Sequence, residues 1–354
     1  MATFRSTISI VLVLVFCFHT ISSEAHAEDT VNPYTEREAL YHKMETITNV
    51  PWYYLAAVDS YERGLRKARR DRADADGFIS IYYAKEDWVG PLNPNQDDES
   101  PDTISLFEGI GLDGNGDGKA LLTDDEDVLY TLARYLESYG LTEEDFRIAL
   151  WHFYQREQSV NIVAGHAKVY QHYQTLDLHK HAFVMPLHHN YSYRSTWGDR
   201  RGWVGRRIHE GTDIFANYQV PIQSSSYGIV ETIGWNPYGG WRVGIRDLDN
   251  IYHYYAHLSG FEKGIEKGTI IEAGQLIGYC GSSGYGKPGT QGKFPPHLHY
   301  GMYRDNGITE WSFDPFPSLK QWERAAKQAK NKSKAHALCF FMRSLFLFYL
   351  CVVK

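Results

Sequence analysis

Pro296-His297-Leu298-His299-Tyr300-Gly301-Met302-Tyr303 decides how the second half of this 354-residue chain is read. Leu298, Tyr300 and Met302 alternate with His297, His299 and Gly301, the period of a β-strand with one buried face. In extended backbone the two histidines point the same way, about 6–7 Å apart. One can therefore hold a metal while the other works beside it. Outward from this segment, short apolar or alternating runs split by glycine cover 228–234, 241–246, 251–258, 269–271 and 275–280, and they predict an antiparallel β domain. Upstream, His209-Glu-Gly-Thr-Asp213 adds an imidazole and a carboxylate, the donors that a catalytic Zn²⁺ takes when one position stays open for water. Tyr255-Ala-His257-Leu-Ser259 closes an aromatic run and offers a further histidine for proton transfer. His253 shares the alternation of His257 and is expected on the same face, bordering a groove.

With 16 histidines in the chain, no single His-x-His spacing is informative alone. The ordered set is. His209-x-Gly-x-Asp213, then Tyr-Ala-His257-Leu-Ser, Gly-Gln-Leu-Ile-Gly, Gly-Ser-Ser-Gly-Tyr-Gly and His297-Leu-His299-Tyr-Gly-Met resembles the lysostaphin-like zinc metallopeptidases along most of residues 183–316. The resemblance implies that His209, Asp213 and His299 hold Zn²⁺, while His257 and His297 share the roles of general base and oxyanion stabiliser in either order. To about residue 324 the chain also resembles an L-Ala–D-Glu endopeptidase family of spore-forming bacilli. There a segment like Pro51-Trp-Tyr-Tyr-Leu-Ala-Ala-Val-Asp59 precedes the peptidase. That likeness implies cleavage of peptidoglycan stem peptides during spore cortex maturation by an exported protein of the wall or cortex. Zinc chemistry alone does not choose the bond, and a cross-bridge endopeptidase is the alternative. Arg194, Arg206 and Arg207, flanking the His209 motif, are the cationic candidates for a substrate carboxylate. A catalytically inactive wall-binding or scaffolding module is the competing class. Such members lose zinc ligands, and this chain keeps all three with both partner histidines.

Composition fits a folded, exported protein, 43% hydrophobic and 22% charged. Residues 1–27 read as a signal peptide, with Arg5, an apolar stretch and the Ala25-His-Ala27 cleavage signal. Cys280 alone lies in the body of the mature protein, so no disulfide is expected within it. Residues 28–160 carry 28 acidic against 13 basic side chains. No basic face argues for nucleic acid.

The acidic part, 28–178, reads as mainly helical, with helical spacing over 34–50 and 128–140 and an N-cap at Thr142. It also resembles, faintly, the lysozyme-like fold, with Asp59 where a catalytic acid would stand and Glu62 as the fallback. Asp113, Asn115, Asp117 and Asp124 match most of an EF-hand loop and make Ca²⁺ a candidate ligand, although Asp replaces the usual Glu at the last position. The expected organisation is α+β: signal peptide 1–27, helical acidic domain 28–178, zinc peptidase domain 179–317, and a basic, then apolar, tail 318–354. The apolar run 338–353 is short of the ~20 residues a bilayer span needs.

Overall fold

The computed structural model describes residues 34–72, 75, 77–201 and 207–352. The predicted signal peptide lies outside them. Contacts divide the chain into Met1–Glu36, of which only the start of the first helix is described, and Arg37–Lys354, a single compact unit.

Among the described residues seven helices precede the sheet: α1 (Thr35–Thr48), α2 (Trp52–Ala68), α3 (Lys85–Val89), α4 (Pro101–Leu106), α5 (Asp125–Glu137), α6 (Glu143–Tyr154) and α7 (Glu157–Tyr173). Pro51, with φ −59°, precedes the first turn of α2, where a missing N–H costs nothing. Asp124 caps α5 by accepting from the backbone N–H groups of Glu126 and Asp127. At α6, Thr142 and Asp145 form the reciprocal capping box expected from the sequence. Helix α2 buries most of its length, including Trp52, Tyr54, Leu55, Val58, Tyr61 and Leu65.

Twelve strands follow among the described residues: β1 (Tyr191–Tyr193), β2 (Arg200–Arg201), β3 (Arg207–Ile208), β4 (Thr212–Ala216), β5 (Pro221–Gln223), β6 (Gly228–Asn236), β7 (Gly240–Arg246), β8 (Ile251–Phe261), β9 (Ile270–Ile271), β10 (Leu276–Cys280), β11 (His297–Asp305) and β12 (Glu310–Phe313). The main sheet runs β1-β4-β11-β8-β7-β6-β9, while β10 pairs β5 and β8, and β12 extends along β11. Every pairing between these strands is antiparallel. The α+β reading therefore holds. Alternation sorts the strands as expected, with Ile214, Val243, Ile245, Tyr255, Leu298 and Tyr300 on the core face. Each such side chain contributes roughly 1.5–3 kcal/mol by leaving water. The last helix, α8 (Phe316–Val352), closes that face with Leu319 and Trp322. Among the described residues no helix is long and apolar enough to cross a membrane.

The helices meet the sheet at the ends of its strands. Asp305, at the end of β11, is fully buried and accepts two hydrogen bonds from Arg156, at 3.1 and 2.6 Å. At the β7–β8 turn, Ser60 Oγ donates to Leu248 O at 2.6 Å and His166 Nε2 donates to Asp247 O at 2.9 Å.

Candidate metal centre and cleft

Strand register assembles the centre. His299 on β11 stands opposite Asp213 on β4, and opposite Ala256 on β8 from the other side. Directly paired residues share a face, so Asp213 and His299 meet above the sheet. His209 arrives from the turn before β4. Its Nε2 lies 2.9 Å from His299 Nδ1, and Asp213 Oδ1 lies 3.1 Å from each of those nitrogens. Gly211 makes the approach possible, because a Cβ there would lie 2.7 Å from the His299 ring. A tetrahedral ion with Zn–N and Zn–O bonds of about 2.0–2.2 Å needs donor atoms about 3.3 Å apart. Three converging donors near that spacing, two imidazoles and one carboxylate, fit a zinc ion.

The surrounding hydrogen bonds fix which nitrogen each ring presents. His209 Nδ1–H donates to Thr196 O, His257 Nδ1–H to Ser283 O and His297 Nδ1–H to Pro295 O, each at 2.8 Å. All three rings therefore offer Nε2 to the centre, whereas His299 offers Nδ1. His257 and His297 stand beside the triad with ring centroids 4.8 Å apart, and His257 is 5.9 Å from His299. Burial, reinforced by His297 and His299, pushes the His257 imidazole down to about 3. Burial opposes the charge of Asp213, yet hydrogen bonds from His209 and His299 hold its carboxyl well below the usual range.

The centre opens into a cleft of about 860 Å³ lined by Tyr238, Tyr254, Tyr285, Phe294 and Tyr303 among others. One wall comes from the glycine-rich segment after β10, through Tyr285 and Phe294. There Gly240, with φ +65°, touches Ser283 so closely that a Cβ would meet its backbone carbon at 2.3 Å.

Other sequence expectations fall elsewhere. His253 does not border the cleft. It is fully buried on the core face, with Nε2 2.8 Å from Asp247 Oδ2 and Nδ1 2.7 Å from the Tyr300 hydroxyl. A register shift between Trp241 and Val243 leaves Arg242 opposite both Ala256 and His257, and this bulge in β8 reverses the alternation after Ala256. His181 joins Asp247 and His253 as a second group of metal-ligand types, but hydrogen bonds to protein atoms already occupy both His253 nitrogens. Arg194 is exposed and does not line the cleft. Arg206 lies outside the described residues, and Arg207 is described only as backbone of β3.

Among the described residues, the carboxylates of Asp113, Asp117 and Asp124 do not converge as a metal-holding group. Asn115 turns its amide Nδ2 toward Asp124, and Asp124 is committed to capping α5. Asp127, which the sequence reading passed over, closes the loop instead by accepting from Gly114 and Leu121 at 2.7 Å. Asp59 is buried and accepts from Tyr41, Arg63 and the Ser80 backbone, while buried Glu62 pairs with Arg72. Neither carboxyl is open to protonate a glycosidic oxygen. Spacing did not expose the carbonyls of Thr196, Ser283 and Pro295 that aim the rings, because any residue type supplies a carbonyl.

Residues 207–314 match peptidase family M23. Over 324 residues the chain is 56% identical to the L-Ala–D-Glu endopeptidase of Bacillus subtilis (strain 168), across 92% of this chain and 99% of that protein. It is 32% identical over 133 residues to lysostaphin of Staphylococcus staphylolyticus, across 37% of this chain and 26% of that one. Among solved structures, the antimicrobial peptidase lysostaphin from Staphylococcus simulans matches 41% of this chain and 55% of its own at 29% identity, with a TM-score of 0.33. The family pattern falls on the strands that carry the histidine and aspartate donors, and the Bacillus likeness continues through the helices; the chain belongs to peptidase family M23.

Proposed function

We propose that this chain is a zinc endopeptidase that cuts the L-Ala–D-Glu bond of peptidoglycan stem peptides. The observation that carries the reading is the likeness to an enzyme of that name over nearly the whole chain, together with a donor set that fits zinc. His209, Asp213 and His299 would hold the ion. Bound there, zinc would supply Lewis acidity, polarising the scissile carbonyl and acidifying an attacking water. His257 and His297 present Nε2 on the cleft side and between them take the proton of that water and steady the developing oxyanion. Their Nδ1–H bonds to backbone carbonyls keep the rings in one tautomer. The tyrosines and Phe294 exclude water along the groove. The inactive-module reading is disfavoured because no member of the five-residue set is missing.

The same reading assigns residues 1–27 to export, 28–178 to support of the peptidase and 179–317 to the chemistry, in the wall or spore cortex. Muropeptide digestion followed by mass spectrometry tests it. Products should carry single L-alanine residues on the lactyl groups, with released peptides beginning at D-glutamate. A chelator should abolish cleavage. His299→Ala should lose metal and activity together, whereas His297→Ala should retain zinc and lose roughly 10²–10⁴-fold in rate. An active, metal-free His299→Ala protein overturns the zinc assignment; cut cross-bridges with intact L-Ala–D-Glu bonds overturn the substrate alone.

A further inference from the structure

The row of residues that builds the metal centre does not stop at β8. Asp213 pairs with His299, His299 pairs with Ala256, and Arg242 faces the Ala256–His257 bulge from β7. Arg242 therefore lies on the cleft floor two strands from His299, about 10 Å away between Cα positions. It lines the same cleft.

Its neighbour on the same strand shows what is unusual about it. Arg246, also on β7, is fully buried and satisfied, with Glu231 at 3.0 Å and Glu310 at 2.7 Å. Arg242 is half-buried, and among the described residues no carboxylate pairs with it. Its guanidinium instead stands 5.8 Å from the centre of the Tyr254 ring. The other described cations of the cleft are placed differently, since Lys293 Nζ donates to Tyr285 O at 2.6 Å and Arg200 is exposed on the β2–β3 hairpin. The floor beside Arg242 is also kept low. Gly244, two residues along on the same face, has no room for a side chain, because a Cβ would meet the Tyr252 hydroxyl at 1.8 Å. A guanidinium held partly out of water without a counter-charge favours a ligand that brings one, and its planar fork matches a carboxylate.

We propose that Arg242 is the subsite for the free carboxylate of the residue whose amide nitrogen is released, which, on the L-Ala–D-Glu reading on which this rests, is the α-carboxylate of D-glutamate. When the stem continues through the side-chain carboxyl of that residue, the α-carboxylate stands one carbon from the scissile nitrogen. It is the substrate charge nearest the reacting bond. The arginine takes no part in bond making; it positions the leaving side of the peptide over the metal centre.

The test compares two synthetic stem peptides, one with D-glutamate and one with the same residue carrying a carboxamide in place of the α-carboxylate. The zinc-loaded wild-type protein should favour the carboxylate peptide roughly 10- to 100-fold in kcat/KM, the range for a charge-assisted hydrogen-bonded pair. In R242Q that ratio should fall to near one with zinc content unchanged, and R242K, which keeps the charge without the fork, should fall between. A preference that survives in R242Q overturns the proposal, as does an equal loss on both peptides, which would mark a structural role. Equal cleavage of both peptides by the wild-type protein overturns it and leaves the bond assignment standing. A wild-type protein that cuts neither peptide but cuts cross-bridges shows instead that the underlying substrate reading is wrong.

Discussion

His257 has a φ of +63°, a left-handed backbone conformation that costs a residue with a Cβ about 1–3 kcal/mol. It is the extra residue of the β8 bulge, and its backbone N–H donates to Gly239 O at 2.7 Å. The bulge is why His253 and His257, four apart on one strand, lie on opposite faces. A strand read from sequence assumes unbroken alternation, so the misplacement of His253 follows directly from that assumption. The other site histidines were legible because their neighbourhoods are regular or rich in glycine. The strained backbone also separates catalysis from folding at this position. Asparagine tolerates the left-handed region and valine does not. His257→Asn and His257→Val should both lose most activity with zinc retained, but the valine protein should be less stable by about 1–2 kcal/mol in urea titration. Equal stability of the two would remove the argument from backbone strain.

At the scale of elements, the glycine-punctuated strands from β6 to β11 were legible whatever their length, whereas β1 to β5 and β12 were not. The segments read at 251–258 and 297–303 correspond to β8 and β11, whereas β4, which carries Asp213, spans only five residues and announces itself only through its motif. Helices α1, α5 and α6 show in periodicity and caps. What periodicity does not show is where a helix is thin enough to touch a turn. Gly64 on α2 is such a place: an added Cβ would sit 2.9 Å from Asn250 Cβ and 3.5 Å from Asp249 O. Alanine gains about 1 kcal/mol of helix propensity over glycine, while overpacking costs about 1–3 kcal/mol. The clash should win. Gly64→Ala should lower Tm by a few degrees. Asn250 has φ +60°, which glycine adopts freely, so Asn250→Gly removes the opposing Cβ without backbone strain. The double variant should lose less than the sum of the two singles, and strict additivity in thermal unfolding would refute the contact.

Across the whole molecule, the Asp247–Asn250 turn is ringed by histidines from separate regions of the chain: His166 on α7, His179 and His181 before the sheet, and His253 on β8. His166 has no partner at its buried Nδ1, and burial pushes it down from 6.5 to about 4, against the pull of Asp247 and Asp249 and with Arg246 adding to the shift. Between those values the unfolded chain binds a proton that the folded chain refuses. The contribution is thus fully present above pH 6.5 and is lost as pH falls toward about 4. Burial disfavours the charged form of His181 as well, but the Asp247 carboxylate 3.9 Å from its Nε2 and the charge of Asp249 together outweigh burial and shift it the opposite way; that effect is common to wild type and a His166 variant and cancels in their difference. His166→Gln, which can still donate to Asp247 O, should show a stability loss on acidification smaller by about 3 kcal/mol over that interval. Parallel pH–stability curves would show that His166 does not titrate as described.

The Arg156–Asp305 pair, described above as a join between helix and sheet, also sets what kind of chimaera this architecture permits. Strand β11 begins at the chemistry, with His297 and His299, and ends at that pair, roughly 20 Å away along one rigid ribbon. Removing Arg156 with the helices in place would leave a buried, unpaired carboxylate at the far end of the ribbon that carries a metal donor, a defect of about 3–5 kcal/mol. The helical half is therefore a keystone rather than a bead on a string. Its partner surfaces must change together, so lineages built this way would exchange wall specificity by reshaping the groove and not by swapping modules.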